Sequence, residues 1–174
     1  MELKFKLCTL SNLHQLRLIS EQTFVTAFEK DNDPIDFKKY IEQAFASVKI
    51  KNELLNSESE FYFAYKNDEV VGYFKLNVGE AQSELKHEYS IELERIYVLE
   101  RFQGMGYGEQ FLQHIKYIAK NSSKDILWLG VWQKNKRAIR FYERHGFYKF
   151  DTHPYFIGSD KQTDWLMRFN LSTL

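Results

Sequence analysis

The residues best suited to chemistry lie in a short turn in which glycine occupies every second position. Residues 103–108 read QGMGYG. Because glycine has no Cβ, such a turn can direct several backbone N–H groups inward at the start of a helix, where they bind phosphate oxygens. The simpler interpretation of this element alone is a strand-to-helix turn that binds nothing.

Spacing excludes the two commonest phosphate-binding motifs from this turn. A dinucleotide-binding fingerprint counted from Gly104 and Gly106 requires a glycine at position 109, where the chain has Glu109. A P-loop requires lysine followed by serine or threonine after its last glycine, whereas Gly108 is followed by Glu109 and Gln110. Neither motif is present.

The turn is held between a strand and a helix. Residues 91–99 alternate in character with a period near two and include β-branched and aromatic side chains, which predicts a strand. After the turn, apolar side chains recur with the 3.6-residue period of a helix. They are Phe111, Leu112, Ile115, Ile118 and Ala119.

Further elements follow from the same signals along the rest of the chain. Asp33 followed by Pro34 predicts the start of a helix, as Asn135 does, and Gly146 ends the second of these. We also predict helices from Thr9 or Ser11 to about residue 28 and over residues 48–55. Strands are predicted over residues 3–7, 61–66, 70–78, 126–132, 147–152 and 163–171.

Composition indicates a globular chain without a strong global charge. The 174 residues are 44% hydrophobic and 17% aromatic, and 24 Lys and Arg residues balance 24 Asp and Glu residues. No net field therefore favours nucleic acid or an anionic membrane. The only cysteine, Cys8, cannot form an internal disulfide, and no Cys/His spacing suits zinc. We expect a cytoplasmic protein, since no signal peptide or membrane span is evident.

Two motifs together resemble those of the GNAT family of N-acetyltransferases. Gln103, Gly106 and Gly108 match a Gln/Arg-x-x-Gly-x-Gly signature between a strand and a helix. A second block, residues 135–147, resembles Asn-x-x-Ala-x-x-x-Tyr followed by Gly-Phe, with Asn135 and Tyr142 in register. The resemblance covers nearly the whole chain, and residues 92–98 and 128–132 are most similar to PaiA-type polyamine acetyltransferases.

The resemblance implies an α/β (α+β) fold and an activity. The expected architecture is one N-acetyltransferase domain over residues 1–174, with a mixed, mostly antiparallel sheet of about seven strands flanked by about four helices. The sheet would be splayed between its fourth and fifth strands, and acetyl-CoA would bind in that opening. The implied reaction is transfer of acetyl from acetyl-CoA to a primary amine by direct attack in a ternary complex, with no metal.

Acetyl transfer requires a neutral amine, and an alkylammonium has a pKa near ~10.4, so a group must take its proton. Glu94 is the best candidate, because it occupies the strand position from which related spermidine/spermine acetyltransferases present a glutamate. Glu92 lies on the same strand face and could be the base or a second cation anchor. The alternative for each is an exposed or salt-bridged strand carboxylate.

Tyr142 is the expected general acid. A phenol with a pKa near ~10 can protonate a thiolate whose pKa is comparable to that of cysteine, ~8.5, and the family pattern directs this tyrosine at the sulfur of CoA. The alternative is an aromatic side chain packed in the core.

The resemblance also assigns residues to the cofactor. The pantetheine arm would lie beside Ile96, Tyr97 and Val98 and near Asn135, which otherwise is a plain N-cap. The 3′-phosphate could meet Arg140, although Arg101 and Lys136 are rivals and exposed helix cations are commonly solvated. The pyrophosphate would bind N–H groups of the glycine turn, formed by Gln103, Gly104, Met105, Gly106, Tyr107 and Gly108.

Acceptor specificity would lie in the loop between the first two helices and in the loop between the last two strands. The candidate residues are Phe28, Asp31, Asp33 and Tyr155. With Glu92 and Glu94, these acidic groups could hold an elongated polyamine, the expected small-molecule partner. No nucleic acid or membrane partner is expected, and a homodimer is compatible with the sequence. A protein or peptide N-acetyltransferase is the rival enzyme. A non-catalytic acetyl-CoA-binding regulatory module is the alternative of another class, and the presence of Glu94 and Tyr142 argues against it.

Overall fold

A computed structural model describes residues 2–157 and 160–173, without the side chains of residues 155, 157 and 160. Within these residues the strands are β1 Lys4–Leu7, β2 Ser59–Lys66, β3 Glu69–Asn77, β4 Ser90–Val98, β5 Ile126–Trp132, β6 Tyr148–Ile157 and β7 Asp160–Asn170. The α-helices are α1 Leu13–Phe28, α2 Pro34–Ala44, α3 Ser47–Leu55, α4 Tyr107–Asn121 and α5 Lys136–Arg144, five rather than about four.

Local capping signals set the helix starts that the sequence predicted. The Asp33 side chain accepts hydrogen bonds from the N–H groups of Ile35 and Asp36, and Pro34 is the first residue of α2. Asn135 Oδ1 accepts from the N–H of Ala138 at 3.0 Å and so caps α5.

The strands form one mixed sheet in the order β1-β2-β3-β4-β5-β7-β6. β4 and β5 pair in parallel, and the other neighbours pair antiparallel. The parallel pairing covers only three residue pairs and ends at Glu92 and Trp128, although β4 continues to Val98 and β5 to Trp132. The sheet is therefore open between these strands, which confirms the predicted splay.

A β-bulge in β4 changes which side chains face each side of the sheet. Lys75 pairs with Arg95 and Leu76 pairs with Leu93, so Glu94 is the extra residue. Leu93 and, beyond the bulge, Ile96 pack with the core around α4. Glu92 and Glu94 both point to the opposite face of the sheet, which α1 and α3 cover.

Each face of the sheet has its own hydrophobic core. The face under α4 and α5 buries Phe74, Phe111, Leu112, Ile115 and Leu129. The other face buries Leu16, Ile50, Phe61, Phe63 and Tyr73 against α1 and α3. Helices on both faces hold β4 and β5 in place at the opening.

The last two strands are longer than the sequence predicted. The prediction ended β6 at residue 152 and began β7 at residue 163, whereas pairing continues through Pro154 with Thr163 and Phe156 with Lys161. The polar residues of this hairpin obscured the apolar alternation, while cross-strand pairing extends both strands.

Candidate active site

A groove of about 870 Å³ lies over the opening between β4 and β5. It is bounded by the end of β4, the glycine turn, the first turn of α4, one face of α5 and part of α1. Most of the predicted cofactor residues, together with Tyr142, meet here: Ile96, Tyr97, Val98, Gln103, Gly104, Gly106, Tyr107, Gly108, Asn135, Arg140 and Tyr142.

The glycine turn presents unpaired donors to this groove. Gly104 and Gly106 have φ angles of 77° and 78°, a conformation that favours glycine, and Gly106 is the N-cap of α4. The first N–H groups of a helix have no acceptor within the helix. Among the residues that the structure describes, no acceptor is found for the N–H groups of residues 104–109. The turn therefore fits a pyrophosphate.

Met105 contributes to this turn only through its backbone. Its side chain is 56% exposed and does not line the groove, unlike the neighbouring predicted residues.

The open edge of β4 offers backbone groups at alternate residues. The N–H of Leu99 donates to the carbonyl of Val71 at 2.9 Å, and Tyr97 pairs with Tyr73. Since alternate residues of an antiparallel strand face the same neighbour, Tyr97 bonds to β3 while the N–H groups of Ile96 and Val98 face the opening. The backbone of Tyr97 is therefore engaged with β3, and its place beside the pantetheine arm stays a prediction.

Cations along α5 face the groove. Arg137, Arg140 and Arg144 recur at helical spacing and line it. Of these, Arg140 was predicted from the sequence, whereas Arg137 and Arg144 were not, although their spacing places them on the same helical face. Arg101 instead pairs with Glu69 at 2.8 Å, and neither it nor Lys136 lines the groove.

Tyr142 lies in the groove but is almost completely enclosed. The residue is 7% exposed, and burial raises the pKa of its phenol well above the ordinary value. The phenol therefore stays protonated at neutral pH, as a proton donor requires. Its packing against Phe147, with ring centroids 5.6 Å apart, shows that it is also a core residue.

Glu92 and Glu94 lie on the other side of the opening and share one partner. Asn77 Nδ2 donates to Glu92 at 3.0 Å and to Glu94 at 2.6 Å. Glu92 is 3% exposed and also accepts from the backbone N–H and the hydroxyl of Ser83. Burial raises the pKa of Glu92, although the hydrogen bonds from Ser83 and Asn77 act in the opposite direction.

Glu94 has a different electrostatic environment. It pairs with Lys75 at 2.5 Å and with Arg95 at 3.0 Å, and both cations also contact Glu53. Burial alone would raise the pKa of Glu94, but Arg95 and Lys75 outweigh it and lower the pKa to about 2. A carboxylate with this pKa is a weak proton acceptor.

The predicted acceptor residues are only partly free to bind. Phe28 packs against Phe24 and Trp132, with ring centroids 4.7 and 6.3 Å apart. Asp31 is exposed, whereas the carboxylate of Asp33 is used to cap α2. The side chain of Tyr155 lies outside the described residues.

Comparison with known proteins now identifies the class. The model of the acetyltransferase (GNAT) family matches residues 15–147. The chain belongs to this family, and it is an acetyl-CoA-dependent N-acetyltransferase. Among residues 2–157 and 160–173, no helix has the length and apolar character needed to cross a membrane.

Individual relatives cover most of the chain. An uncharacterized N-acetyltransferase in the pepI 3′ region of Lactobacillus delbrueckii subsp. lactis is 38% identical over 157 residues, 90% of this chain and 91% of that protein. The spermine/spermidine N(1)-acetyltransferase of Bacillus subtilis (strain 168) is 29% identical over 84 residues, 48% of this chain and 55% of that protein.

A solved relative shares the fold. The PaiA N-acetyltransferase of Thermoplasma acidophilum, in complex with coenzyme A, superimposes with a TM-score of 0.79. The alignment covers 98% of this chain and 99% of that chain at 19% identity.

The two carboxylates are expected to affect the pH profile of kcat/KM differently. A general base must be ionised, so activity that depends on Glu92 falls as the pH drops through its raised pKa, above the ordinary 4.5. Glu94, with a pKa of about 2, stays ionised throughout the assay range. Glu92→Gln should therefore remove the acidic inflection, and Glu94→Gln should keep it.

The amine substrate titrates identically with all three proteins, which controls for its own ionisation. Melting temperatures should accompany the profiles, because Glu94→Gln leaves Lys75 and Arg95 short of a counter-charge. An inflection that persists in folded Glu92→Gln and disappears in Glu94→Gln would reverse the assignment.

Proposed function

We propose that this enzyme acetylates a primary amine of a polyamine by direct attack in a ternary complex. The observation that carries the proposal is the opening of the sheet beyond Glu92, over which lies the groove with the glycine turn and the α5 arginines. Glu92 and Glu94 lie near this opening on the face that α1 and α3 cover, outside the lining of the groove. The Bacillus subtilis relative is named a spermine/spermidine N(1)-acetyltransferase, and the Thermoplasma acidophilum relative is named a PaiA N-acetyltransferase. Both names support the proposal.

The groove residues divide the work of holding acetyl-CoA, which supplies an activated acetyl thioester. The N–H groups of the glycine turn would bind the pyrophosphate, and the arginines of α5 would neutralise its charge and that of the 3′-phosphate. The N–H groups of Ile96 and Val98 are the free strand donors for the pantetheine amides and the thioester oxygen. Asn135 would reach the same arm while it caps α5.

Tyr142 is the group we propose to protonate the departing thiolate. It is protonated at neutral pH, lies in the groove and sits at the C-terminal half of α5, beyond the capping Asn135. Because burial makes this phenol a weaker acid, transfer to a thiolate whose pKa is near ~8.5 is uphill, so we propose that the phenol first stabilises the developing charge by donating a hydrogen bond to it.

On the other face, we propose that Glu92 accepts the amine proton and that Glu94 acts as a fixed charge. The raised pKa of Glu92 suits proton uptake better than the low pKa of Glu94. The hydroxyl of Ser83, an exposed residue, donates to Glu92 at 2.5 Å. Ser83 can relay the proton, because its oxygen accepts the amine proton while the hydroxyl proton moves to Glu92.

Replacing the Tyr142 hydroxyl should slow chemistry without weakening CoA binding. Tyr142→Phe keeps the buried ring and removes the proton donor, so kcat should fall by ~10²-fold or more. Steady-state kinetics and calorimetry with CoA measure the two quantities. Tyr117→Phe makes the same chemical change at a residue that is 66% exposed, and it should have no effect. Wild-type kcat in Tyr142→Phe, with chemistry rate-limiting, would leave this tyrosine a core residue only.

The acceptor itself is tested by comparing amines with different charge. The enzyme should show a higher kcat/KM for spermidine and spermine than for a monoamine of similar length. That advantage should shrink with added salt, because exposed charge pairs are screened within ~8 Å near physiological ionic strength. If a short peptide is acetylated faster and spermine is no better than the monoamine, the enzyme is a peptide acetyltransferase instead.

A further inference from the structure

Beyond the opening, β5 and β7 present a second set of side chains on the face that carries Glu92. Leu127, Leu129 and Val131 of β5 are buried in the core under α4. Since strand side chains alternate, Gly130 and Trp132 point to the opposite face. The antiparallel register pairs Trp132 with Asp164 and Gly130 with Leu166.

Gly130 is exposed although it lies in the middle of an internal strand. Pairing with β7 is continuous through it, and its φ lies outside the left-handed region. A Cβ built there would meet Asp164 Oδ2 at 3.6 Å and Leu166 Cδ2 at 3.8 Å, which are ordinary contacts. Neither the backbone conformation nor the packing requires glycine at this position. Because glycine has no side chain, this part of the sheet surface stays uncovered.

The surface beside the exposed Gly130, which we call the Gly130 recess, carries an aromatic and an acidic side chain. Trp132 touches Phe28 of α1. The Trp132 indole N–H is buried and has no hydrogen-bond partner among the described residues. Asp164 of β7 stands directly beside Trp132 and opposite His153 of β6, whose Nδ1 lies 2.8 Å from Glu84.

The Asp164 carboxylate is only partly exposed and lies directly opposite His153 of β6. Burial raises its pKa, and the neighbouring His153 only partly offsets this. An ammonium group would supply a charge partner for Asp164, and the Trp132 ring already accepts a cation at this surface, since the Lys134 ammonium lies 5.5 Å from its centroid. In the described part of the chain, no three His, Cys, Asp or Glu residues are grouped to hold a metal ion.

We propose that the Gly130 recess binds a second ammonium group of the acceptor and that Asp164 determines the preference for multiply charged amines. The inference rests on the proposed function and names the residues that would select the substrate. Asp31 and Asp33, which the sequence predicted to bind the acceptor, would then contribute less to this preference than Asp164.

Asp164→Asn tests the charge at nearly constant shape. The ratio of kcat/KM for spermidine to kcat/KM for a monoamine should fall roughly tenfold or more, a loss of ~1.4 kcal/mol. The change should appear in KM for spermidine, the pattern of lost ground-state binding. Asp68→Asn, the same substitution at an exposed turn between β2 and β3, is the matched control and should keep the wild-type ratio.

Gly130→Ala tests the uncovered surface independently. The added methyl group fits without a clash, so the variant should fold and bind CoA as the wild type does. It should raise KM for spermidine and leave KM for acetyl-CoA unchanged. Thermal unfolding and calorimetry with CoA establish that both variants are folded and competent.

The outcomes separate this inference from the proposed function. A lowered ratio in Asp164→Asn together with a raised KM in Gly130→Ala supports the recess. A wild type that prefers spermidine, with folded variants that keep the full preference, overturns the recess alone. A wild type that acetylates the monoamine equally well overturns the polyamine proposal and the recess with it.

Discussion

Parallel pairing between β4 and β5 stops at Glu92 and Trp128, and the N–H groups of Ile96 and Val98 are left without a strand partner. An unpaired strand edge inside a protein needs another partner, because a buried N–H group without an acceptor costs free energy. Here the edge is exposed to a groove, and helices on both faces keep the strands apart. The pantetheine arm of CoA has amides that can complete the ladder, which is why we propose the opening as the cofactor site.

The bulge at Glu94 gives the two faces different chemistry. Without the extra residue, the side chains of Glu94 and Ile96 would point to the same side of the sheet. With it, Ile96 joins the apolar core and Glu94 joins a partly buried network of two carboxylates and two cations. Removing these charges from water is costly, and the network offsets that cost by pairing each charge. Glu94 is therefore held ionised, and the basic carboxylate is the less compensated Glu92.

Local signals made the fold and most residues that line the groove predictable from sequence. Caps such as Asn135 act within one turn of chain, and the glycine turn lies between elements with clear periodicity. The environment of Glu94 was not predictable, because Lys75 and Glu53 are distant in sequence and a bulge leaves no periodic trace. The role of Gly130 was not predicted either. A glycine in an apolar strand indicates an uncovered surface only once the neighbouring strand of the sheet is known.

Amide hydrogen exchange, followed by NMR with and without saturating CoA, tests the central claim most directly. If CoA completes the open edge of β4, the N–H groups of Ile96 and Val98 should exchange more slowly in the complex. Those of Tyr97 and Leu99, which face β3, should change little. Equal exchange of Ile96 and Val98 in the free and CoA-saturated protein would contradict the account, because the cofactor would then bind elsewhere than in the opening of the sheet.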